Sequence, residues 1–261
     1  MTVPDPGPAT VDVTVGEGVA RLVLNNPRRK NAITLAMAAA IDDFCDLVAD
    51  DPSIGAVIVD GVGSYFCSGA DTRDLAASST DPASDEAMRR TSAVYGAFVR
   101  IGRLPVPSVA VVRGGAVGAG LNLAMATDVM LLTPDAVLDS GFLARRIHPG
   151  GGHLSLLGRS LSRQQAVAVG VLGARMDAEE AVRRGLAWAV HEAGSIATAA
   201  EELVRLAATD PALARRAMHS ADLELGAGAV PWSAAIEVER GVQMWSLRRK
   251  GGDGWSARVT P

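Results

Sequence analysis

Aromatic residues are scarce in this chain: Phe, Trp and Tyr make up 4% of its 261 residues. Its core must therefore be filled by Ala, Val and Leu, which suits close helix packing and Val-rich strands. There are two cysteines, Cys45 and Cys67, too few for a disulfide framework and in keeping with a reducing, cytoplasmic setting. No apolar run approaches the ~18–20 residues of a membrane span. Positive charge is in deficit: a net charge of −4 leaves no basic excess for nucleic acid or an anionic membrane surface. The opening stretch MTVPDPGPAT has no basic region followed by an apolar one, so residues 1–10 read as a disordered tail and not a signal peptide. Several catalytic signatures are missing too. There is no G-x-S-x-G elbow and no H-E-x-x-H, and the run at 114–120 fits neither G-x-G-x-x-G nor a phosphate loop.

What the chain does have is apolar patterning. Hydrophobic residues make up 48%, enough for a sizeable core. Val11–Val15 and Ala20–Leu24 flank a glycine pair and predict a hairpin. Thr34 has the character of an N-cap for a helix over 35–49, with Met37, Ile41, Phe44 and Val48 on one face. Ala56–Asp60, Val109–Val112 and Val129–Leu132 read as strands buried on both faces. Helices are predicted over 86–103, 119–126, 154–158, 163–171 and 178–184, and almost throughout from Ile196 onward. The polar stretch 74–85 is expected to be a mobile loop. Buried strands alternating with helices imply an α/β core over 11–195, followed by a helical region over 196–261.

Four segments stand out. Pro27–Ile33 places Arg28, Arg29 and Lys30 at a turn, where they meet a phosphate or form a solvated charged turn. Ser64–Asp71 follows a strand; Asp71 there fixes the turn by accepting backbone hydrogen bonds, with or without a binding role. Gly114–Gly120 lies between a buried strand and a helix, so its free N–H groups and positive potential suit a developing anion, although a packing turn explains it as well. Ile147–His153 carries two histidines across three glycines; with no third ligand nearby, no metal is expected, and His148 is a polar pocket wall or a surface residue. Cys67, on an apolar stretch, reads as an inert packed thiol.

In order and together, the segments LNNPRRKNAIT, SYFCSGADTRDL, VRGGAVGAGLNLAMATDV and IHPGGGHLSLLGR resemble the crotonase (enoyl-CoA hydratase/isomerase) superfamily. The late stretch IEVERGVQMWSLRRKGGDGWSA is similar to the terminal helices by which members pack on a neighbouring subunit. The resemblance implies a ββα spiral with a C-terminal helical oligomerisation region, assembled as a trimer or a pair of trimers. It implies an acyl-CoA thioester as substrate and no cofactor beyond the CoA that the substrate brings. The backbone N–H groups of Ala70 and Ala119 would form an oxyanion hole. Arg29, Lys30 and Ala32 would flank the CoA nucleotide, Ser68, Ala70 and Asp71 the pantetheine path. Val117, Gly118, Asn122 and Phe142 would also line the substrate site.

The sequence departs from the family where proton transfer is done. Hydratases carry two glutamates, whose positions fall here on Asn122 and Phe142; an aspartate some relatives place after the proline is Gly150. Neither replacement can accept a proton near neutral pH. His148 and Asp139 are the candidate stand-ins, ahead of Asp74 and Tyr65, with Asp71 expected to be structural. Three readings follow: a divergent hydratase, isomerase, decarboxylase or related lyase acting through a stabilised enolate; an inactive acyl-CoA-binding or regulatory pseudo-enzyme; or a scaffold with a vestigial pocket.

Overall fold

The computed structural model describes residues 9–71, 73–74, 81 and 84–225. The expected tail, most of the expected 74–85 loop and the late helical stretch fall wholly or largely outside them. Strand β1 (Thr10–Gly16) pairs antiparallel with β2 (Val19–Asn25), the predicted hairpin. Helix α1 (Leu35–Asp50) follows, and the Thr34 hydroxyl accepts a hydrogen bond from the Met37 amide, as an N-cap does. Met37, Ile41, Phe44 and Val48 are buried on one face of α1; withdrawing such side chains from water contributes about 1.5–3 kcal/mol each.

Next come β3 (Ala56–Gly61), α2 (Asp85–Ile101), β4 (Ser108–Val112), β5 (Gly115–Val117), α3 (Ala119–Ala126), β6 (Val129–Leu132) and β7 (Val137–Asp139). Helices α4 (His153–Ser160) and α5 (Arg163–Gly170), strand β8 (Met176–Asp177), helix α6 (Ala178–Arg183) and strand β9 (Ala189–Val190) complete the core, ahead of α7 (Ile196–Thr209) and α8 (Pro211–Leu225). The main sheet has the order β1-β2-β3-β4-β6-β9, parallel from β2 onward. A second, smaller sheet has the order β5-β7-β8. Isolated bridges Ile33↔Ala70 and Cys67↔Ala116 run in parallel between the loops. Each turn of chain thus lays a strand in the large sheet and then a short extended piece near the small one: the expected spiral.

Strands β3 and β4 are buried almost end to end, as their unbroken apolar runs require. One face meets the main core, with Ile41 of α1 and Phe98 and Ile101 of α2. The other is covered by Ile196, Ala200 and Val204 of α7, which cluster with Ile58, Val109 and Leu131. The first helix after residue 195 therefore belongs to the core's own layering. Four short strands, β5, β7, β8 and β9, were not legible in the sequence, because two or three residues carry no period. β5 lies inside the run read as a glycine turn.

Candidate active site

The first wall of the site is built by tying Pro27–Ile33 to Ser64–Asp71. Asn31 is fully buried in a left-handed conformation at φ 55°, which asparagine tolerates better than most residues. Its Oδ1 accepts from the Asn26 amide at 2.9 Å, and its Nδ2 donates to the carbonyls of Val62 (3.0 Å) and Tyr65 (2.7 Å). The Ser68 amide donates to the Lys30 carbonyl and its hydroxyl to the Arg29 carbonyl, each at 2.8 Å. Asp71 is buried between two cations, 3.1 Å from Arg29 Nε and 2.8 Å from an Arg73 nitrogen. The Arg73 hydrogen bonds, first of all, hold its carboxyl below the ordinary carboxylate range. Lys30 stands 4.7 Å above the centre of the Tyr65 ring, and Ala32 is buried behind this wall. Asp71 serves the turn, as the sequence suggested.

The second wall is the segment from β5 into α3. The Val117 amide donates to the Cys67 carbonyl at 3.0 Å, so the two glycine-bearing loops lie side by side. A Cβ on Gly120 would stand 2.3 Å from the Cys67 carbonyl oxygen, and one on Gly69 (φ 106°) 2.9 Å from the Val117 oxygen and 3.6 Å from the Ala119 nitrogen. Only glycine allows this approach. It brings the Ala70 and Ala119 amides to the same cleft, and neither donates to any group among the described residues. Ala119 opens α3, with Gly118 (φ 55°) as N-cap, so positive helix-end potential adds to its N–H. Cys67 is fully buried and its thiol is pushed up to about 12 by desolvation, which makes it inert.

The far wall holds two residues whose part the sequence reading missed, Ser140 and His153, beside the expected Asn122 and Phe142. Asn122, the sixth residue after Ala116 in this segment's β-to-α passage, is fully buried and lines the cleft together with Ser140 and Phe142. Its Nδ2 donates to the Gly150 carbonyl at 3.0 Å, and its Oδ1 lies 2.7 Å from His153 Nδ1. The other ring nitrogen, Nε2, is hydrogen-bonded to Ser140 Oγ. Phe142 meets the imidazole edge-on, with ring centres 5.0 Å apart. Burial holds His153 down to about 4, so it is neutral at ordinary pH. The glycines of Pro149–Gly152 permit this: a Cβ on Gly150 would meet the Tyr95 hydroxyl, and one on Gly151 the Phe98 ring. His153 had drawn notice only as half of a metal clip. The signal available was that a histidine opens a helix right after the turn that faces position 122.

The two expected stand-ins fare differently. Asp139 does not line the cleft. The alternation of β7 carries one residue past its end: Leu138 and, just beyond the strand, Ser140 are buried, while Asp139 takes the Gly141 amide at 2.8 Å and pairs with Arg175 at 2.8 Å. His148 does line the cleft, but at its exposed rim, with Nδ1 on its own neighbour's carbonyl, Pro149 O, at 2.7 Å. Asp74 lines the same rim, 3.9 Å from Arg90; Tyr65 lies outside the lining. The cleft is partly open to solvent. Ser68, Val117 and Gly118 line it as expected; Arg29, Lys30 and Ala32 do not. Among the described residues no group of three or more His, Cys, Asp or Glu is placed to hold a metal ion, and no helix is long and apolar enough to cross a membrane.

A two-sheet spiral with a cleft between a glycine-tied pair of free amides and a buried far wall defines a crotonase-type protein. The chain belongs to the enoyl-CoA hydratase/isomerase family, whose model matches residues 14–237. It is 39% identical over 225 residues to a probable enoyl-CoA hydratase, EchA14, of Mycobacterium tuberculosis, covering 86% of this chain and 84% of that one. It is 32% identical over 213 residues to the 1,2-epoxyphenylacetyl-CoA isomerase of Escherichia coli, covering 80% and 81%. Among solved structures, an enoyl-CoA hydratase from Polaromonas sp. JS666 superposes with a TM-score of 0.83 at 25% identity over 94% of both chains. A putative enoyl-CoA hydratase from Thermobifida fusca, in complex with acetoacetyl-CoA, superposes at 0.78 with 26% identity over 92% and 96%.

Proposed function

We propose that this chain acts on an acyl-CoA thioester as a divergent lyase or isomerase, holding the thioester oxygen as it gains enolate character. The observation that carries the reading is the pair of unengaged amides, Ala70 and Ala119, at one end of the cleft, with the start of α3 behind one of them. Donors preorganised in a dry site act most strongly where negative charge develops. The chemistry asks for no cofactor beyond CoA. The cationic turn at 28–30 would meet the CoA phosphates outside the cleft, and the acyl chain would run toward Phe142. The complex of the Thermobifida fusca relative with acetoacetyl-CoA supports a thioester ligand. Assembly as a trimer or pair of trimers, in a reducing cytoplasm, belongs to the same reading.

The distinguishing feature is the far wall. An amide and a phenyl ring, Asn122 and Phe142, face the acyl group, so water has no carboxylate to activate it there. The test is Ala119→Pro. Ala119 is the first residue of α3, a position where proline is tolerated and replaces the N–H with a ring methylene. Deuterium uptake at the α-carbon of acyl-CoA, followed by mass spectrometry, should fall roughly 10²–10³-fold while the fold is kept. Calorimetry run alongside should still detect the ligand. Equal exchange by both proteins would refute the role of Ala119, and binding with no exchange or turnover in the parent protein would leave an acyl-CoA-holding protein instead.

A further inference from the structure

The far wall contains a chain of groups that the enolate reading does not use. Asn122 bonds the Gly150 carbonyl with one end of its amide at 3.0 Å. A carbonyl can only accept, so that end is the NH2 and the other is the oxygen. The oxygen lies 2.7 Å from His153 Nδ1, so Nδ1 carries the imidazole proton. Nε2 is then a bare lone pair, and the Ser140 hydroxyl donates to it. The tautomer is set by geometry alone. It is the one in which an imidazole draws the proton from a serine oxygen and leaves that oxygen's lone pairs free.

This arrangement faces the reacting end of the cleft. Ser140 lines it, as do Ala70 and Ala119. The Gly118 amide donates to the carbonyl of Asp139, and a Cβ on Gly118 would lie 3.6 Å from the Ser140 carbonyl. Ser140 therefore stands beside the residue that precedes the Ala119 donor. Ser140, Asn122, Ala70 and Ala119 thus line one cleft, with His153 behind Ser140 and Phe142 edge-on against its ring.

We propose that Ser140, His153 and Asn122 form a nucleophilic triad that hydrolyses acyl-CoA thioesters through an acyl-serine intermediate. Ser140 Oγ attacks the thioester carbon while its proton passes to His153 Nε2. The carbonyl oxygen takes the negative charge against the Ala70 and Ala119 amides. The C–S bond breaks, and the CoA sulfur leaves with the proton from His153. Water, giving its proton to the same nitrogen, then attacks the ester, releases the carboxylic acid and returns Ser140. The sum is thioester plus water to acid plus CoA thiol, with no oxidant or metal called for. A neutral amide supports an imidazolium less well than a carboxylate, and burial already disfavours that charge; acylation is accordingly slow.

The inference rests on the acyl-CoA reading of the cleft, and the experiment separates the two. A saturated substrate, hexanoyl-CoA, which offers no double bond to hydrate, is mixed with the whole protein. CoA release is followed with a thiol reagent, the protein's intact mass is recorded, and binding is measured by calorimetry. The expected results are steady CoA release, a hexanoyl adduct on the Ser140 peptide, and loss of both in Ser140→Ala with binding kept. Circular dichroism checks that the variant is folded. No binding by the parent protein would overturn the acyl-CoA reading and this inference together. Binding without CoA release or adduct, or release unchanged in Ser140→Ala, would overturn this inference alone.

Discussion

His153 is one group through which acid should loosen this fold. His153 is buried to 1% exposure and held from 6.5 down to about 4 by desolvation. Above pH 6.5 both folded and unfolded chains carry the neutral ring and nothing is lost. As the pH falls below 6.5 the unfolded chain binds a proton that the folded chain refuses, so stability declines until the folded ring titrates near pH 4. The gap corresponds to roughly 3 kcal/mol across that window. For a domain of this size that is on the order of 10 °C in melting temperature. The buried carboxyls of Asp60 and Asp128 are raised by desolvation, so they act in the opposite sense and gain stability as they protonate. A direct acid profile would mix these effects. The clean measurement is therefore the difference between the parent protein and His153→Gln, which keeps an amide able to bond Asn122 and Ser140 but cannot titrate. Denaturant unfolding from pH 7.5 to 4 should show the parent losing roughly 3 kcal/mol more than the variant, all of it below pH 6.5. Parallel curves would refute the claim that a neutral imidazole is buried there.

Three further outcomes follow from single contacts. Gly120→Ala would place a methyl 2.3 Å from the Cys67 carbonyl oxygen; because the obstacle is backbone, α3 must shift, costing about 1–3 kcal/mol in thermal unfolding and moving the Ala119 amide out of register, so turnover should fall more than stability explains. Arg215 of α8 donates to the carbonyls of Val48 in the last turn of α1 and of Asp51 and Ile54 beyond it; Arg215→Met should lower denaturant stability by about 1–3 kcal/mol with acyl-CoA binding unchanged. Phe142→Glu sets a carboxylate against the His153 ring, which favours the charged imidazole; its titration, followed by NMR, should move upward, and an unmoved curve would count against the packing described.

What could be read in the sequence depended on how far a signal extends along the chain. Helix α1 and strands β3, β4 and β6 were legible because their apolar faces repeat over several residues or run unbroken. Strands β7 and β8, at three and two residues, show no period, yet β7 decides the site: its alternation turns Ser140 inward and sends Asp139 to Arg175. The Ala70 and Ala119 pair came only from the resemblance of their segments to the crotonase motifs, and the structure adds the backbone that a Cβ at Gly69 or Gly120 would strike. His153 was not, since its meaning lies in partners 31 and 13 residues away and a histidine after glycines says nothing of what the fold brings to it.

The same three positions bear on which bond of a thioester this cleft would attack. Adding water across an enoyl double bond needs a group near the β-carbon that can take a proton from water. Asn122 cannot, because both ends of its amide are engaged and neither is basic. Phe142 has nothing to offer. The hydroxyl that does line this wall belongs to Ser140, and its proton is already directed at a nitrogen. An amide and a ring, at the two positions where the resemblance implies glutamates, leave this wall without resting charge and favour a neutral imidazole. On the proposed reading, Asn122 and Phe142 leave Ser140 and His153 in the state a nucleophile and its base require, and the chemistry falls on the carbonyl carbon that Ala70 and Ala119 would hold.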